Sequence, residues 1–185
     1  MKKIVLTFGL IAGAILSAMM LISLGFQDNI DFDKSEVIGY TSMVVAFLLI
    51  FFGVKSFRDN VAGGSVTFGR ALGVGALIAV VASVCYVLTW QVIYYKLAPD
   101  FAEKYQAHVL EKARAEGASE AELAKEKADM ANFMKLYENP AINVGITFLE
   151  PLPVALVIAL VSAGVLSRRR KEGLLANPPV GARTP

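Results

Sequence analysis

Histidine, cysteine and tryptophan each occur once in this chain, as His108, Cys85 and Trp90. A single cysteine closes no internal disulfide and builds no cysteine-rich metal site. Catalytic constellations ordinarily draw on several His, Asp or Cys side chains gathered at one face; one His, one Cys and no pair of acids within the apolar runs do not supply one. The expectation is a protein with no catalytic residue, no cofactor and no metal, and so not an enzyme. Charge is scarce too: 18% of residues are charged, against about a quarter in ordinary soluble domains. The net charge of +2 gives no case for nucleic-acid binding.

The missing charge is missing in blocks. Residues 4–27, 37–54 and 71–95 hold no Asp, Glu, Lys or Arg, and 142–167 holds only Glu150. About 20 apolar residues, rising 1.5 Å each, cross the roughly 30 Å of bilayer hydrocarbon. The pattern predicts an all-α polytopic membrane protein with four transmembrane helices, at about 4–26, 37–54, 70–95 and 142–167. The lipid bilayer is its first partner. Lys2 and Lys3 would suit the head of a signal peptide, but the apolar run outlasts a usual signal core and no small-x-small cleavage site ends it. A retained helix is the better reading.

Small residues recur at helical spacing: Gly9, Gly13 and Ser17; Gly69 and Gly73, with Leu77 next in line; Gly75, Ala79 and Ser83. Such faces let helices approach closely in lipid, and they are candidates for packing or self-association. Trp90, Tyr94 and Tyr95 gather at the end of the third run, as amphipathic aromatics do at headgroup level.

The connections carry the polar residues. Asp28, Asp31, Asp33 and Glu36 lack the full calcium-loop spacing and read as a solvated loop. Gly63-Gly64 marks a turn, without the pattern of a phosphate loop, and Thr67 is a candidate N-cap. Residues 97–139 are rich in Ala, Glu and Lys. Phe101, Tyr105 and Val109 form one helical stripe, and Leu123, Met130, Phe133, Met134 and Tyr137 another. Gly117 separates them, and Ser119 with Glu122 matches a capping box. This segment predicts a helical hairpin between the third and fourth spans, with His108 on its solvated surface. Residues 172–185, with Pro178-Pro179, have no periodicity and read as a disordered tail. The four-helix domain with its insertion is therefore assigned to 1–171.

Orientation follows from the basic residues. The N-terminus, the 55–70 loop and the tail hold ten of the 18 Lys and Arg but only Asp59 and Glu172 among acids. Short basic loops stay cytoplasmic. The expectation is a multi-pass protein of the cell inner (cytoplasmic) membrane, with both termini in the cytoplasm and the 97–139 hairpin outside it.

Glu150 is the one carboxylate within an apolar run, and Pro151 and Pro153 flank it. Seventeen helical steps from Ser167 place it about 5 Å below the outer interface of a roughly 30 Å hydrocarbon layer. The two prolines bring no N–H, so carbonyls one turn earlier, on Thr147 and Leu149, lose their helical donors. Three roles fit Glu150, Pro151 and Pro153. Pro151 opens the last helix, with Glu150 favourable at its dipole; or Glu150 makes a polar contact between helices; or it handles ions or protons.

Three stretches resemble a bacterial four-helix membrane family known only as a domain of unknown function. They are residues 64–71 (Gly-Ser-Val-Thr-Phe-Gly-Arg-Ala), Tyr94-Tyr95, and residues 150–154 (Glu-Pro-Leu-Pro-Val) with the apolar helix and basic end that follow. The resemblance covers roughly 4–171. It implies a bacterial cytoplasmic membrane and a helical segment between the third and fourth spans, and brings no reaction or substrate. Two functions are carried forward. One is a non-enzymatic membrane protein that binds other proteins, or itself, through helix faces or the 97–139 hairpin. The other is a small ion- or proton-coupled transporter or channel component using Glu150.

Overall fold

Apolar runs without charge leave the backbone no polar side chain to pair with, so each run satisfies its own N–H and C=O groups as helix. The computed structural model describes residues 1–26 and 32–167, and among these its regular elements are all helices, with no strand. The helices are α1 (Lys2–Gly25), α2 (Phe32–Asn60), α3 (Phe68–Val92), α4 (Phe101–Ala115), α5 (Glu120–Tyr137), α6 (Pro140–Leu149) and α7 (Leu152–Leu166). Four helical stretches are long and apolar enough to cross a membrane: Lys2–Gly25, Phe32–Asn60, Phe68–Leu97 and Pro140–Leu166. The last of these is α6 and α7 together. The acidic residues Asp28 and Asp31, the basic cluster from Arg168 and the tail read at 172–185 lie outside the described residues.

α2 and α3 pack on one another and form the centre; α1 lies against both, and so does α7. Phe47, Ile50, Val54 and Phe57 of α2 are buried, with Val74 and Ile78 of α3 and Ala155, Ala159 and Ala163 of α7. In lipid such packing gains dispersion contacts rather than a hydrophobic driving force. Small residues therefore sit where backbones come closest. A Cβ added at Gly9 would lie 2.6 Å from Val81 Cβ, and one at Gly13 2.5 Å from Cys85 Cβ. Ser17, one turn further, accepts a 2.7 Å hydrogen bond from Thr89 Oγ1. The Gly9–Gly13–Ser17 face is thus spent inside the chain, against α3. Gly75 of α3 faces Ala159 of α7, whereas Gly69 and Gly73 meet nothing within 4 Å.

At one end of the bundle, α2 closes on Gly63 and Gly64, both at positive φ, where Gly64 N–H reaches back to Arg58 C=O at 2.9 Å. Thr67 does precede α3 in extended conformation, but its side chain makes no capping bond. At the other end, α3 finishes in a π turn, Ile93–Leu97, with Ala98 N–H donating to Ile93 C=O at 2.8 Å.

The segment after the π turn folds as a helical hairpin, α4 and α5. Gly117 turns it at φ +89. Ser119 and Glu122 form the capping box, whose hydrogen bonds hold the Glu122 carboxyl below its ordinary range. The hairpin is fastened to the spans by rings. Phe32, at the head of α2, lies edge-on to Phe101 and Tyr105 and over His108 at 5.0 Å. Phe101 meets Trp90 at 5.1 Å, and Tyr94 meets Tyr137 at 5.4 Å. Beside Phe32, Asp33 accepts from Lys112 at 2.9 Å and is 3.4 Å from His108. α2 therefore starts well before residue 37, and His108 packs against it rather than standing free in solvent.

Candidate functional site

The sequence left three roles open for Glu150: the start of the last helix, a polar contact between helices, and ion or proton handling. In the structure it lies between two helices, just ahead of α7. α6 begins at Pro140, capped by Asn139 through a 3.0 Å bond to Ala141 N–H, and runs to Leu149. Glu150 follows at φ −55, ψ −51, and Pro151 at φ −78, ψ −14 precedes α7. Glu150 N–H still donates to Ile146 C=O, and Ala155 N–H to Pro151 C=O. Between those two bonds the prolines remove the donors that Thr147 and Leu149 carbonyls would otherwise receive. Glu150 thus occupies a break inside a span. Ten residues at about 1.5 Å each place it roughly 15 Å along the helix from Pro140. Residues 140–149 continue the helix on the other side of Glu150 from α7.

Three polar tiers link this last span to the C-terminal half of α3. At the first, Gln91 Nε2 donates to Asn143 Oδ1 at 2.7 Å. At the second, Trp90 Nε1 donates to the Tyr137 hydroxyl at 2.9 Å, which lies 3.2 Å from Thr147 Oγ1. At the third, the Tyr86 hydroxyl partners the Glu150 carboxylate. Asn143, Thr147 and Glu150 are spaced as one face of a helix, and on α3 Tyr86 lies one turn before the adjacent pair Trp90 and Gln91. Tyr137, half-buried at the end of α5, ties the hairpin into the same tiers, and burial pushes its phenol above the ordinary range.

The tiers are not fully satisfied. Asn143 is 0% exposed and its Nδ2 has no partner; Ser83 is 0% exposed and its Oγ has none. The helix register locates Ser83. Gly75 faces Ala159 and Gln91 faces Asn143, sixteen residues apart on both helices. Ser83 and Pro151 each lie halfway between, so Ser83 sits level with the break. Pro151 itself is fully buried. Glu150, by contrast, is exposed at the edge of this interface, and its partner among the described residues is Tyr86, with no Lys or Arg upon it.

The sequence singled out Glu150, Pro151 and Pro153; it did not single out Tyr86, Gln91, Asn143, Thr147 or Tyr137 as their neighbours. The signal was present as three polar residues at i, i+4 and i+7 in an apolar run. Among the described residues, no group of three or more His, Cys, Asp or Glu stands close enough to hold a metal ion.

The family described as protein of unknown function (DUF4199) matches residues 7–168. The chain belongs to that family, in keeping with the resemblance carried by residues 64–71, Tyr94-Tyr95 and 150–154. No curated protein matches the chain, and no solved structure does.

Proposed function

We propose that this member of the family is a non-enzymatic, multi-pass protein of a bacterial inner membrane that presents its α4–α5 hairpin to a protein partner. The observation that carries this reading is the fastening of the hairpin. Phe32, Trp90, Tyr94 and Tyr137 hold one side of it on the spans. Next to these rings lies an open groove lined by Tyr105, Met130 and Phe133, with Glu122, Lys125, Glu126 and Asp129 at its rim. An apolar groove with a charged border has the make-up of a recognition surface. The basic bias of the 55–70 loop and the two ends supports cytoplasmic termini and an outward hairpin. Nucleic acid is not among the partners.

Two experiments test this. Deleting residues 100–138 should abolish co-purification of the partner while the four spans still insert; unchanged co-purification would remove the hairpin from the interface. A cysteine at position 118, in a Cys85→Ala background, should react with a membrane-impermeant maleimide in intact cells, and one at position 174 only after lysis. The reverse pattern would invert the topology.

A second reading, proton or cation handling at Glu150, is favoured by one observation: a carboxylate at a helix break within a span, with a tyrosine and no cation upon it. Proton and monovalent-cation flux in liposomes, parent against Glu150→Gln, tests it. Flux that the variant lacks would support transport, and no flux in either would retire it.

A further inference from the structure

We propose that Glu150 is a proton-binding site: a carboxylic acid held within the bilayer, partnered by Tyr86, and exchanging its proton with solution at the hairpin end along the Thr147 and Asn143 tiers. This rests on the site of the second reading but not on transport.

The argument begins with what surrounds the carboxyl. An ionised carboxylate accepts hydrogen bonds and donates none, whereas the protonated acid donates one. The break at Pro151 and Pro153 supplies acceptors, because Thr147 and Leu149 carbonyls have lost their N–H partners. Tyr86 supplies one hydroxyl. A neighbourhood richer in acceptors than in donors suits the neutral acid. Within the hydrocarbon region a charge without a counter-ion is costly, and a proton is the smallest partner that removes it.

A hard metal cation would need about six oxygen ligands closed around it. Glu150 is exposed at the edge of the α3–α6 interface, and an open edge does not close such a shell. The titratable groups around the site are Tyr86 of α3, Tyr137 of α5 and, beyond Tyr86, Tyr40 of α2. None of them supplies a positive charge.

The route is argued from the two orphaned atoms. A fully buried polar atom without a protein partner is ordinarily met by water. Asn143 Nδ2 marks such a position at the hairpin end, and Ser83 Oγ another level with the break. Between them lie the hydroxyls of Thr147 and Tyr137, 3.2 Å apart. Hydroxyl and water oxygens both accept and donate, so this line can pass a proton from the hairpin end to the Glu150 carboxyl. No other atom is exchanged and no redox partner is needed.

The test uses the full-length protein in liposomes. Dicyclohexylcarbodiimide adds to protonated carboxyls in apolar surroundings: the acid proton passes to one nitrogen, the carboxyl oxygen bonds the central carbon, and an acyl shift leaves a stable N-acylurea. At neutral pH the peptide carrying Glu150 should gain the whole reagent mass. The adduct should vanish in Glu150→Gln and persist in Glu150→Asp, which keeps the acid and checks that insertion is intact. Replacing choline with sodium should leave labelling unchanged, and protection by sodium would overturn the proton assignment in favour of a cation. If no adduct forms, infrared difference spectra of parent against Glu150→Gln decide: an acid C=O stretch upholds the site, and carboxylate bands alone overturn it. Deuterium exchange of that C=O band should slow in Asn143→Leu, and an unchanged rate would overturn the route. Labelling without flux would retire transport and leave the site standing.

Discussion

α3 works through two faces made of different chemistry. Towards α1, Val81, Cys85 and Thr89 meet Gly9, Gly13 and Ser17, three contacts four residues apart on both helices. Glycine lets the backbones close, and the single polar contact is satisfied within the pair. Towards the last span, α3 meets Ala159 through Gly75 at one end and then changes to Tyr86, Trp90 and Gln91. That face leaves buried polar atoms unpartnered at Ser83 and Asn143. Hydrogen bonds between membrane helices average only about 0.6 kcal/mol, and an unsatisfied buried group costs about 1–3 kcal/mol. Adhesion alone does not favour the second arrangement. The α1 face thus holds the bundle together, while the α6 face tolerates a cost that a polar site would explain.

The largest effect should come from the α1 face. In Gly13→Val the new Cβ lands on Cys85, and helix α1 must move away along its length. We expect a loss of about 3 kcal/mol, at the upper end of overpacking penalties, read as an earlier unfolding midpoint in a denaturing-detergent titration. Gly73→Val is the matched control. Its Cβ meets nothing within 4 Å, and the midpoint should shift by less than about 0.5 kcal/mol. Equal effects at the two glycines would dissolve the distinction between a packed and an open face.

That pair also shows how far the sequence could be read. Both Gly9–Gly13 and Gly69–Gly73 carry the same spacing, and spacing records only what a helix can offer. Which stripe is used depends on where the neighbour lies. The four spans, the hairpin, its Gly117 turn and the Ser119–Glu122 box were legible because each rests on local periodicity or local capping. Glu150 was legible as a charge inside an apolar run. Its partners were not, since Tyr86 lies 64 positions away in the chain and is one apolar-looking aromatic among many. The form of the break was left open for a related reason. Pro151 is as acceptable at a helix start as inside a kinked span, and the structure combines the two: α6 runs up to Leu149 and Pro151 precedes α7.

The polar face can be broken at its hub. Tyr137→Phe removes the acceptor of Trp90 Nε1 and the partner of Thr147 Oγ1 while keeping the ring stacked on Phe133. The expected loss is about 1–2 kcal/mol, the cost of groups left unpaired. It should be accompanied by faster amide exchange in α5, because the same hydroxyl ties the hairpin to the spans. A stability loss without any change in the hairpin would mean that the rings alone hold it.

The first tier offers a sharper comparison. Asn143→Leu alone strands the Gln91 amide in the interface, and should cost about 1 kcal/mol. Adding Gln91→Leu removes both partners, and the double variant should return to within about 0.5 kcal/mol of the parent, since paired polar groups replaced together by apolar ones are often neutral. Recovered stability would show that the tier is dispensable to the fold. If the double variant is worse than either single one, the tier is an adhesive after all, and the case for a functional face weakens.

The smallest effect belongs to the one polar contact of the α1 face. Thr89 Oγ1 reaches both Ser17 Oγ at 2.7 Å and, within its own helix, Cys85 C=O at 3.0 Å. Thr89→Val keeps the shape and loses both bonds; Ser17→Ala loses only the one between helices. The carbonyl bond offers the Thr89 hydroxyl an alternative partner, so Ser17→Ala should leave no donor stranded. A double-mutant cycle isolates the interhelical term, expected at about 0.6 kcal/mol, the average for such pairs in membranes. A coupling well above that would mean that α1 is held by its hydrogen bond as much as by its glycines, and the two faces of α3 would then differ in degree rather than in kind.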